Sequence, residues 1–488
     1  MYGINMSIKT TILHSVFVCL VLMSCGAPAP EANTPRPEGA DAEPDEIRSL
    51  PGFSSTLVPD PVFEGRIYIL EVGPKDAPPL VLVHGVGAEG SADWYPVLAG
   101  LSTHYRVLAL DLPGFGRSSK GNGGYGPAKF VKAIRELTRN RIGEPFFLVG
   151  HSMGGAISLL YAGTHPGDVK RLVLADVAGV LHRHALANHI DALITGRDGG
   201  PPVPRGLLSG LTHGFKQILK VTDISPDRLL EPDSPTTALN NKPQAAAALS
   251  LVAFNFGPAT GDIQAPTRLL WGRNDNVAPL RTARALLSRI EGAKLTLFEH
   301  SAHVPMKTEP EAFVDAVHRH LQNADPMPSA PRSNAVAKPK QGRCHGQTNV
   351  RFEGTYDAIA IEECSGVVLN RVTAASVTVK DSTVTLNDTT INGASVGLTA
   401  VDAVLSLTGG RISGDIAIHA DDVVLDMAGV HVVGNKRAFS ETSSGEITSS
   451  ICRVESPIMN AYVHDLISFN ASNPIEKRDS RHPDTGRD

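Results

Sequence analysis

The sequence has few aromatic residues, few cysteines and no excess of charge of one sign. Aromatic residues make up 5% of the 488 residues, and there are five cysteines, none in a Cys-x-x-Cys pair that would favour a zinc site. With 45 basic and 50 acidic residues, the formal net charge is -5. This balance excludes the basic surface typical of nucleic-acid binding. An apolar fraction of 42% is enough for a globular protein, and the length suits two domains.

The N-terminal apolar run is too short for a typical membrane-spanning helix. Lys9 precedes the run TILHSVFVCLVLM, which ends shortly before the small residue Ser24. A basic start, an apolar stretch of this length and a small residue before the cleavage point are typical of a secretory signal. Residues 1–24 are therefore predicted to be a signal peptide.

The residues Leu-Met-Ser-Cys at 22–25 resemble the lipobox of bacterial lipoproteins. The resemblance implies that the thiol of Cys25 receives a diacylglyceryl group and that the mature chain is anchored to a membrane by several acyl chains. Gly26, in place of an aspartate, favours the outer membrane. The alternative interpretation is an ordinary cleaved signal in which Cys25 has no special role.

Three segments have the composition of connecting or terminal chain. Residues 25–50 are rich in proline, alanine and acidic residues, which favours an extended tether. The stretch 322–343 contains four prolines and is predicted to link two domains. The polar tail 470–488 is predicted to be disordered. These boundaries leave two domains, 51–321 and 344–469.

The first of these domains alternates short apolar runs with helical patterns. The runs include PPLVLVHGVG (78–87), PFFLVGHSMGG (145–155), KRLVLADVAG (170–179) and PTRLLWGRND (266–275). Such an alternation predicts an α/β fold with a parallel sheet covered on both faces. The segment from about 180 to 262 interrupts the rhythm with helical stretches, and we expect it to form a cap near the mouth of a pocket.

The sequence of the second domain contains an internal repeat. The segments VTLNDTTINGA, LSLTGGRISGD and LDMAGVHVVGN align, so that Leu386, Leu407 and Met427 are equivalent and the period is 21 and then 20 residues. A fixed period of this size predicts a solenoid, and short strands with corner glycines favour a right-handed parallel β-helix. A spacer or support for the first domain is the favoured role. Contact with carbohydrate or a surface is the alternative, although no cluster of acids or aromatics marks a sugar site.

Three cysteines lie in this second domain. In the oxidising compartment of an exported protein they are expected to form one disulfide, and three pairings are open. The Cys344–Cys364 pairing is favoured over those with Cys452, because it would close the start of the repeat region.

The segment GHSMG places a serine between two glycines. It fits the pattern G-x-S-x-G, in which a tight strand-to-helix turn exposes a nucleophilic serine. The apolar run PFFLV precedes the motif and a helical pattern follows it, as the motif requires. Gly150 and Gly154 leave room for the turn, so Ser152 is predicted to be a nucleophile. The alternative is a glycine-rich turn with an unreactive serine.

A serine nucleophile needs donors for the oxyanion that forms on its substrate. The backbone N–H of Met153 at the start of the following helix is one predicted donor. The segment HGVG at 84–87 follows an apolar run, and the N–H of Val86 is the second predicted donor. His84 is interpreted as a structural loop residue.

The serine also needs a base and an acid that orients the base. His303 lies after the last apolar run and before the final helical pattern, and it is favoured over His300. Asp275 ends the run PTRLLWGRND and is the favoured acid, with Asp176 in LVLADVAG as its rival. The chain order serine, aspartate, histidine is that of the G-x-S-x-G hydrolases.

With these motifs in place, residues from about 60 to 321 resemble an α/β-hydrolase of the esterase, haloperoxidase-like and C–C-bond-hydrolase branch. HGVG, DLPGFGRS, GHSMGG and HSAHVPMKTEPEAF stand where that family has them. The resemblance implies a serine esterase with a helical cap, acting on a small-molecule ester with neither cofactor nor metal. Cleavage of a C–C bond by the same triad is an alternative, as is a surface binding protein without catalysis. Asp111 matches a family position that shapes a turn.

Overall fold

The structure is a computed structural model of the chain, and it describes residues 43–182, 185, 242–323 and 340–469. The chain divides into two compact units. One lies within residues 1–283 and 290–326, and the other within residues 284–289 and 327–488.

Several predicted features lie outside the described residues. They are the signal peptide with Cys25, the tether up to residue 42, most of the cap between 183 and 241, the linker from 324 to 339, and the tail from 470. Within the part of the chain that the structure describes, no helix combines the length and hydropathy needed to cross a bilayer.

Among the described residues of the first unit, eight strands form one mixed sheet. In chain order they are β1 (Ser54–Asp60), β2 (Gly65–Val72), β3 (Pro79–Val83), β4 (Arg106–Leu110), β5 (Phe146–His151), β6 (Val169–Ala175), β7 (Thr267–Gly272) and β8 (Lys294–Phe298). Their order across the sheet is β1-β2-β4-β3-β5-β6-β7-β8. The pairings β1–β2 and β2–β4 are antiparallel, and the others are parallel.

The central parallel strands β3, β5 and β7 are mostly apolar because both of their faces are covered. Every residue of β3, β5 and β7 is buried. In a parallel sheet the carboxyl ends of the strands meet at one edge, where ligands bind in open α/β sheets. The turns after β3, β5, β6, β7 and β8 therefore lie at the same edge.

Helices precede β1, occupy connections between these strands and follow β8. They are α1 (Asp45–Arg48), α2 (Tyr95–Ser102), α3 (Pro127–Arg141), α4 (Met153–Thr164), α5 (Pro243–Ala253), α6 (Gly257–Asp262), α7 (Leu280–Arg289), α8 (Pro305–Thr308) and α9 (Pro310–Leu321). In α3 the apolar residues Phe130, Ile134 and Leu137 are buried at helical spacing, so one stripe of the helix faces the core. Every residue of α4 from Met153 to Gly163 is buried.

The second unit is strand-rich. Its strands are β9 (Lys340–His345), β10 (Arg351–Glu362), β11 (Val367–Lys380), β12 (Thr383–Asn387), β13 (Thr390–Asn392), β14 (Val396–Thr408), β15 (Arg411–Ala428), β16 (His431–Glu441), β17 (Gly445–Ser456) and β18 (Met459–Phe469). The pairings among β9 to β17 are parallel, and β18 pairs with β17 in the antiparallel sense.

Residues that align in the sequence repeat are direct strand partners. Leu386 pairs with Leu407, which pairs with Met427, and all three are buried. The chain also bends at recurring positions within its long strands β14 and β15. Asp402 and Asp422 have φ angles of +49° and +51°, a left-handed conformation that aspartate tolerates better than most residues. The period read in the sequence is thus the register of the strands.

Of the three cysteines in this unit, the structure pairs Cys344 with Cys364. Cys452 is a buried free thiol, and burial raises its pKa to about 11. The favoured one of the three open pairings is therefore the one present.

Candidate active site

Ser152 sits in a strained turn between β5 and α4. Its φ angle is +53°, and its N–H donates to the carbonyl oxygen of Ala175 at 2.9 Å. A Cβ atom on Gly150 would clash with the carbonyl oxygen of Gly154, and one on Gly154 would clash with the carbonyl oxygens of Val83 and His84. The two glycines that flank the serine in the sequence are therefore required by the close approach of backbone. Such strain is concentrated at functional sites.

His303 connects Ser152 to Asp275 through two hydrogen bonds. Its Nε2 lies 2.9 Å from Ser152 Oγ, and its Nδ1 lies 2.8 Å from Asp275 Oδ2. Because a carboxylate only accepts, Nδ1 carries the proton in the neutral imidazole and Nε2 is free to accept the proton of the serine hydroxyl. All three residues are buried. The structure thus brings together the three side chains that the sequence predicted.

Asp275 is held in its charged form by several donors. Its Oδ1 accepts the backbone N–H groups of Val277 at 2.8 Å and Ala278 at 2.9 Å. Burial acts against the charge, but the neighbouring His303 and the hydrogen bonds to the carboxylate outweigh burial and lower the pKa of Asp275. A negative charge that is fixed in this way orients the imidazole.

The rival acid, Asp176, is engaged elsewhere. It directly follows β6 with a φ angle of +43°, is fully buried, and accepts the N–H of Gly272 at 2.9 Å through Oδ1. Burial first, and then the charge of Asp275, raises the pKa of Asp176 well above its usual range. His303 Nδ1–H donates its hydrogen bond to Asp275 Oδ2 and not to Asp176.

The loop that carries His303 is fastened at two points. Ser301 Oγ donates to Glu309 Oε1 at 2.5 Å, and the N–H of His300 donates to the same oxygen at 3.2 Å. The His300 side chain is exposed. On the other side, His151 Nε2 donates to the carbonyl oxygen of His303 at 2.7 Å. His151 carries no signal in the sequence, because it fills the variable position of G-x-S-x-G.

The two predicted oxyanion donors lie in segments beside Ser152. Met153 is the first residue of α4, and the first N–H groups of a helix have no partner within it. A Cβ on Gly85 would lie 3.1 Å from Ser152 Cβ, so the loop with Val86 passes close to the serine. His84 accepts the N–H of Leu112 at 2.9 Å through Nε2, and its Nδ1 lies 2.6 Å from the carbonyl oxygen of Gly85. Both ring nitrogens of His84 therefore form hydrogen bonds with backbone groups.

Asp111 shapes a turn, as expected. Its carboxylate accepts the N–H groups of Ser91 at 2.6 Å and Arg117 at 2.7 Å. Cβ atoms on Gly90 and Gly116 would clash with this carboxylate. Asp111 therefore holds two loops together and is not one of the hydrogen-bonded residues Ser152, His303 and Asp275.

Comparison with known proteins agrees with the fold and places the chain in a family. Residues 78–310 match the alpha/beta hydrolase fold family. The (E)-2-((N-methylformamido)methylene)succinate hydrolase of Acinetobacter baylyi is 30% identical over 251 residues, which cover 50% of this chain and 90% of that protein. The chain therefore belongs to the alpha/beta hydrolase fold family.

Two further relatives indicate the range of activities among similar proteins. The 2-hydroxy-6-oxo-2,4-heptadienoate hydrolase of Pseudomonas putida is 28% identical over 251 residues, covering 51% of this chain and 90% of that protein. The pimeloyl-[acyl-carrier protein] methyl ester esterase of Aliivibrio salmonicida is 26% identical over 261 residues, covering 50% of this chain and 93% of that protein. All three of these relatives are hydrolases.

Proposed function

We propose that the first unit is a serine hydrolase that cleaves an ester-like bond through an acyl-enzyme. Ser152 Oγ attacks the carbonyl carbon of the substrate while His303 Nε2 takes the serine proton. His303 then gives this proton to the leaving alcohol. A water molecule, activated by the same imidazole, attacks the acyl-enzyme and releases the acid. Asp275 keeps the proton of His303 on Nδ1 and stabilises the imidazolium that forms in each step.

In this mechanism the backbone N–H groups of Val86 and Met153 bind the oxyanion. Val86 belongs to the loop after β3 and Met153 begins α4, so both proposed donors are backbone groups next to elements of the folded core. Removing one donor of this kind costs about 2.7–4 kcal/mol in the barrier of comparable sites.

The observation that carries the proposal is the pair of hydrogen bonds that His303 makes, 2.9 Å to Ser152 and 2.8 Å to Asp275. A fluorophosphonate probe tests it, since only an activated serine reacts with such a probe. We expect the wild type to be labelled at Ser152 and to hydrolyse a short p-nitrophenyl ester. Ser152→Ala should lose both properties, with turnover at least about 10⁴-fold lower.

Ser158→Ala is the matched control, because Ser158 is a fully buried serine of α4, the helix that follows Ser152, and has no part in the proposed site. It should retain labelling and turnover. Hydrolysis that survives in Ser152→Ala, with circular dichroism showing both variants folded, would overturn the proposal.

Cleavage of a C–C bond is the second candidate, and the relatives of the chain favour it, since they include C–C bond hydrolases. The same serine, histidine and aspartate would serve both reactions. Turnover of a vinylogous 1,5-diketone should be compared with turnover of an ester of similar size. A higher kcat/KM for the ester supports the first candidate, and the reverse result supports the second.

For the second unit we infer a short parallel β-helix that supports the hydrolase. Residues 20 or 21 positions apart pair in parallel along four neighbouring strands, and this register supports the inference.

Val404 and Val424 are exposed direct partners. The double variant Val404→Cys with Val424→Cys should form a disulfide under oxidising conditions. A combination of Val404→Cys with Ile458→Cys should not. Failure of the first pair to cross-link would contradict the inference.

We further propose that the chain is anchored to the outer membrane through a lipid on Cys25. Metabolic labelling with a palmitate analogue should mark the wild type, and the Cys25→Ser variant should lose the label and partition into the aqueous phase. Equal labelling of both proteins would contradict the anchor.

A further inference from the structure

Two buried carboxyl groups lie side by side behind His303. Asp176 Oδ1 accepts one backbone N–H, from Gly272 at 2.9 Å. Asp176 Oδ2 is buried, and no donor among the groups of the described residues reaches it. One carboxylate oxygen of Asp176, one of Asp275 and a ring nitrogen of His303 all lie within 4.8 Å of one another. The carboxyl group of Asp275 therefore lies beside that of Asp176 and can accept a hydrogen bond from it.

Two carboxylates this close cannot both be ionised in a buried site, because their repulsion adds to the cost of desolvation. Asp275 accepts the N–H groups of Val277 and Ala278 and lies 2.8 Å from Nδ1 of His303, whereas Asp176 accepts a single N–H. The negative charge is therefore more stable on Asp275, and the proton belongs on Asp176. The directions of the two pKa shifts agree, since that of Asp176 is raised and that of Asp275 is lowered.

We propose that Asp176 is a neutral carboxylic acid whose Oδ2–H donates a hydrogen bond to the carboxylate of Asp275. Asp176 is then a positioning residue. It fixes the orientation of Asp275 and withdraws negative charge from the oxygen that faces His303. The role of Asp176 in catalysis rests on the function proposed above, whereas its protonation does not.

Other titratable groups around the pair do not supply this hydrogen bond. His303 already bonds to Asp275. His151 from β5 is neutral near pH 7, because burial and the charge of His303 lower its pKa to about 4. Asp93 also acts on His151, but it is paired with Lys307 at 2.7 Å. The position of the proton shared by the two aspartates therefore determines which of them carries the negative charge next to His303.

Two variants separate a hydrogen-bond donor from a space-filling side chain. Asp176→Asn keeps an oxygen for the N–H of Gly272 and offers an amide N–H to Asp275. Asp176→Ala removes the donor. Asp168→Ala is the matched control, since Asp168 pairs with Arg135 at 3.4 Å and has no contact with Asp275. The second-order rate of Ser152 labelling by a fluorophosphonate is measured for the full chain from about pH 5 to pH 9.

We expect Asp176→Ala to label about tenfold more slowly than the wild type at its best pH. The acidic limb of its curve of labelling rate against pH should move to higher pH, by about half a unit or more. Without the hydrogen bond from Asp176, the charge of Asp275 stabilises protonated His303 more strongly. Asp176→Asn should recover most of the rate and the wild-type position of the limb. If the limb is unmoved in Asp176→Ala, as in Asp168→Ala, or if the asparagine variant behaves like the alanine variant, the proposal is wrong.

Infrared spectroscopy tests the protonation without any turnover. At neutral pH the wild type should show the carbonyl stretch of a buried carboxylic acid, and this band should be absent in Asp176→Asn. Absence of the band from the wild type would overturn the proposal. If the band is present but the wild type is not labelled at any pH, the proposed function fails while the protonation of Asp176 stands.

Discussion

His151 donates a hydrogen bond of 2.7 Å from Nε2 to the backbone carbonyl oxygen of His303. The residue before Ser152, the proposed nucleophile, thus holds the backbone of His303, the proposed base. The other ring nitrogen, Nδ1, is buried, and no partner reaches it among the described residues. A proton added at Nδ1 would find no acceptor there, so the fold requires His151 to be neutral.

This requirement predicts how stability depends on pH. Burial, followed by the charge of His303, lowers the pKa of His151 from 6.5 to about 4. Between these values the unfolded state binds a proton that the folded state does not, so stability falls as the pH falls through this window. The loss attributable to His151 is up to about 3 kcal/mol.

The variant His151→Gln measures this effect, because its amide can still donate to His303 but does not titrate. The two tryptophans of the chain, Trp94 and Trp271, are both buried in the first unit, so their fluorescence reports its unfolding in urea. The midpoint should fall less in His151→Gln than in the wild type between pH 7 and about pH 4.5. Parallel curves for the two proteins would show that His151 has no such role.

The two aspartates behind His303 are expected to differ sharply in their contributions. Asp275→Asn should lower kcat about 10³–10⁴-fold, because the amide no longer keeps the proton of His303 on Nδ1. Asp176→Asn should lower it far less, since the amide still donates to Asp275. Steady-state rates on a p-nitrophenyl ester compare the two variants. Equal losses would mean that both carboxylates act directly on His303.

Gly154 is expected to tolerate no side chain. In Gly154→Ala the new methyl group would clash with the backbone carbonyl oxygens of Val83 and His84, which cannot move without disturbing β3. The variant should lose about 1–3 kcal/mol or more of stability and most of its labelling by a fluorophosphonate. Gly167→Ala is the control, because a Cβ there meets nothing within 4 Å. A Gly154→Ala protein as stable as the control would contradict the geometry of this turn.

The disulfide Cys344–Cys364 is expected to stabilise only the second unit. Cys364→Ser should lower its stability by about 2–4 kcal/mol, as should a reductant acting on the wild type. Circular dichroism during thermal unfolding reports both units, and tryptophan fluorescence, which reports the first unit alone, shows which transition belongs to the second unit. A further loss when reductant is added to Cys364→Ser would show that another thiol pair is involved.

The sequence was most informative where local backbone geometry allows few residue types. Gly150 and Gly154 are required by close backbone contacts, and their spacing around Ser152 could be read directly. The repeat of Leu386, Leu407 and Met427 became the strand register, because a parallel ladder pairs residues one turn apart. The alternation of apolar runs predicted the parallel sheet, whose buried strands leave no polar face.

Tertiary structure decided what depends on distances between separate strand ends. Asp176 and Asp275 follow neighbouring strands with similar sequence contexts, so only the fold shows that Asp275 bonds to His303. The same is true of His151, whose position in the motif accepts any residue but whose ring reaches the carbonyl oxygen of His303. Sequence determines which chemical groups lie at the ends of the strands. Hydrogen bonds of about 3 Å, on which the protonation of each group depends, are set only by the packing of those ends against one another.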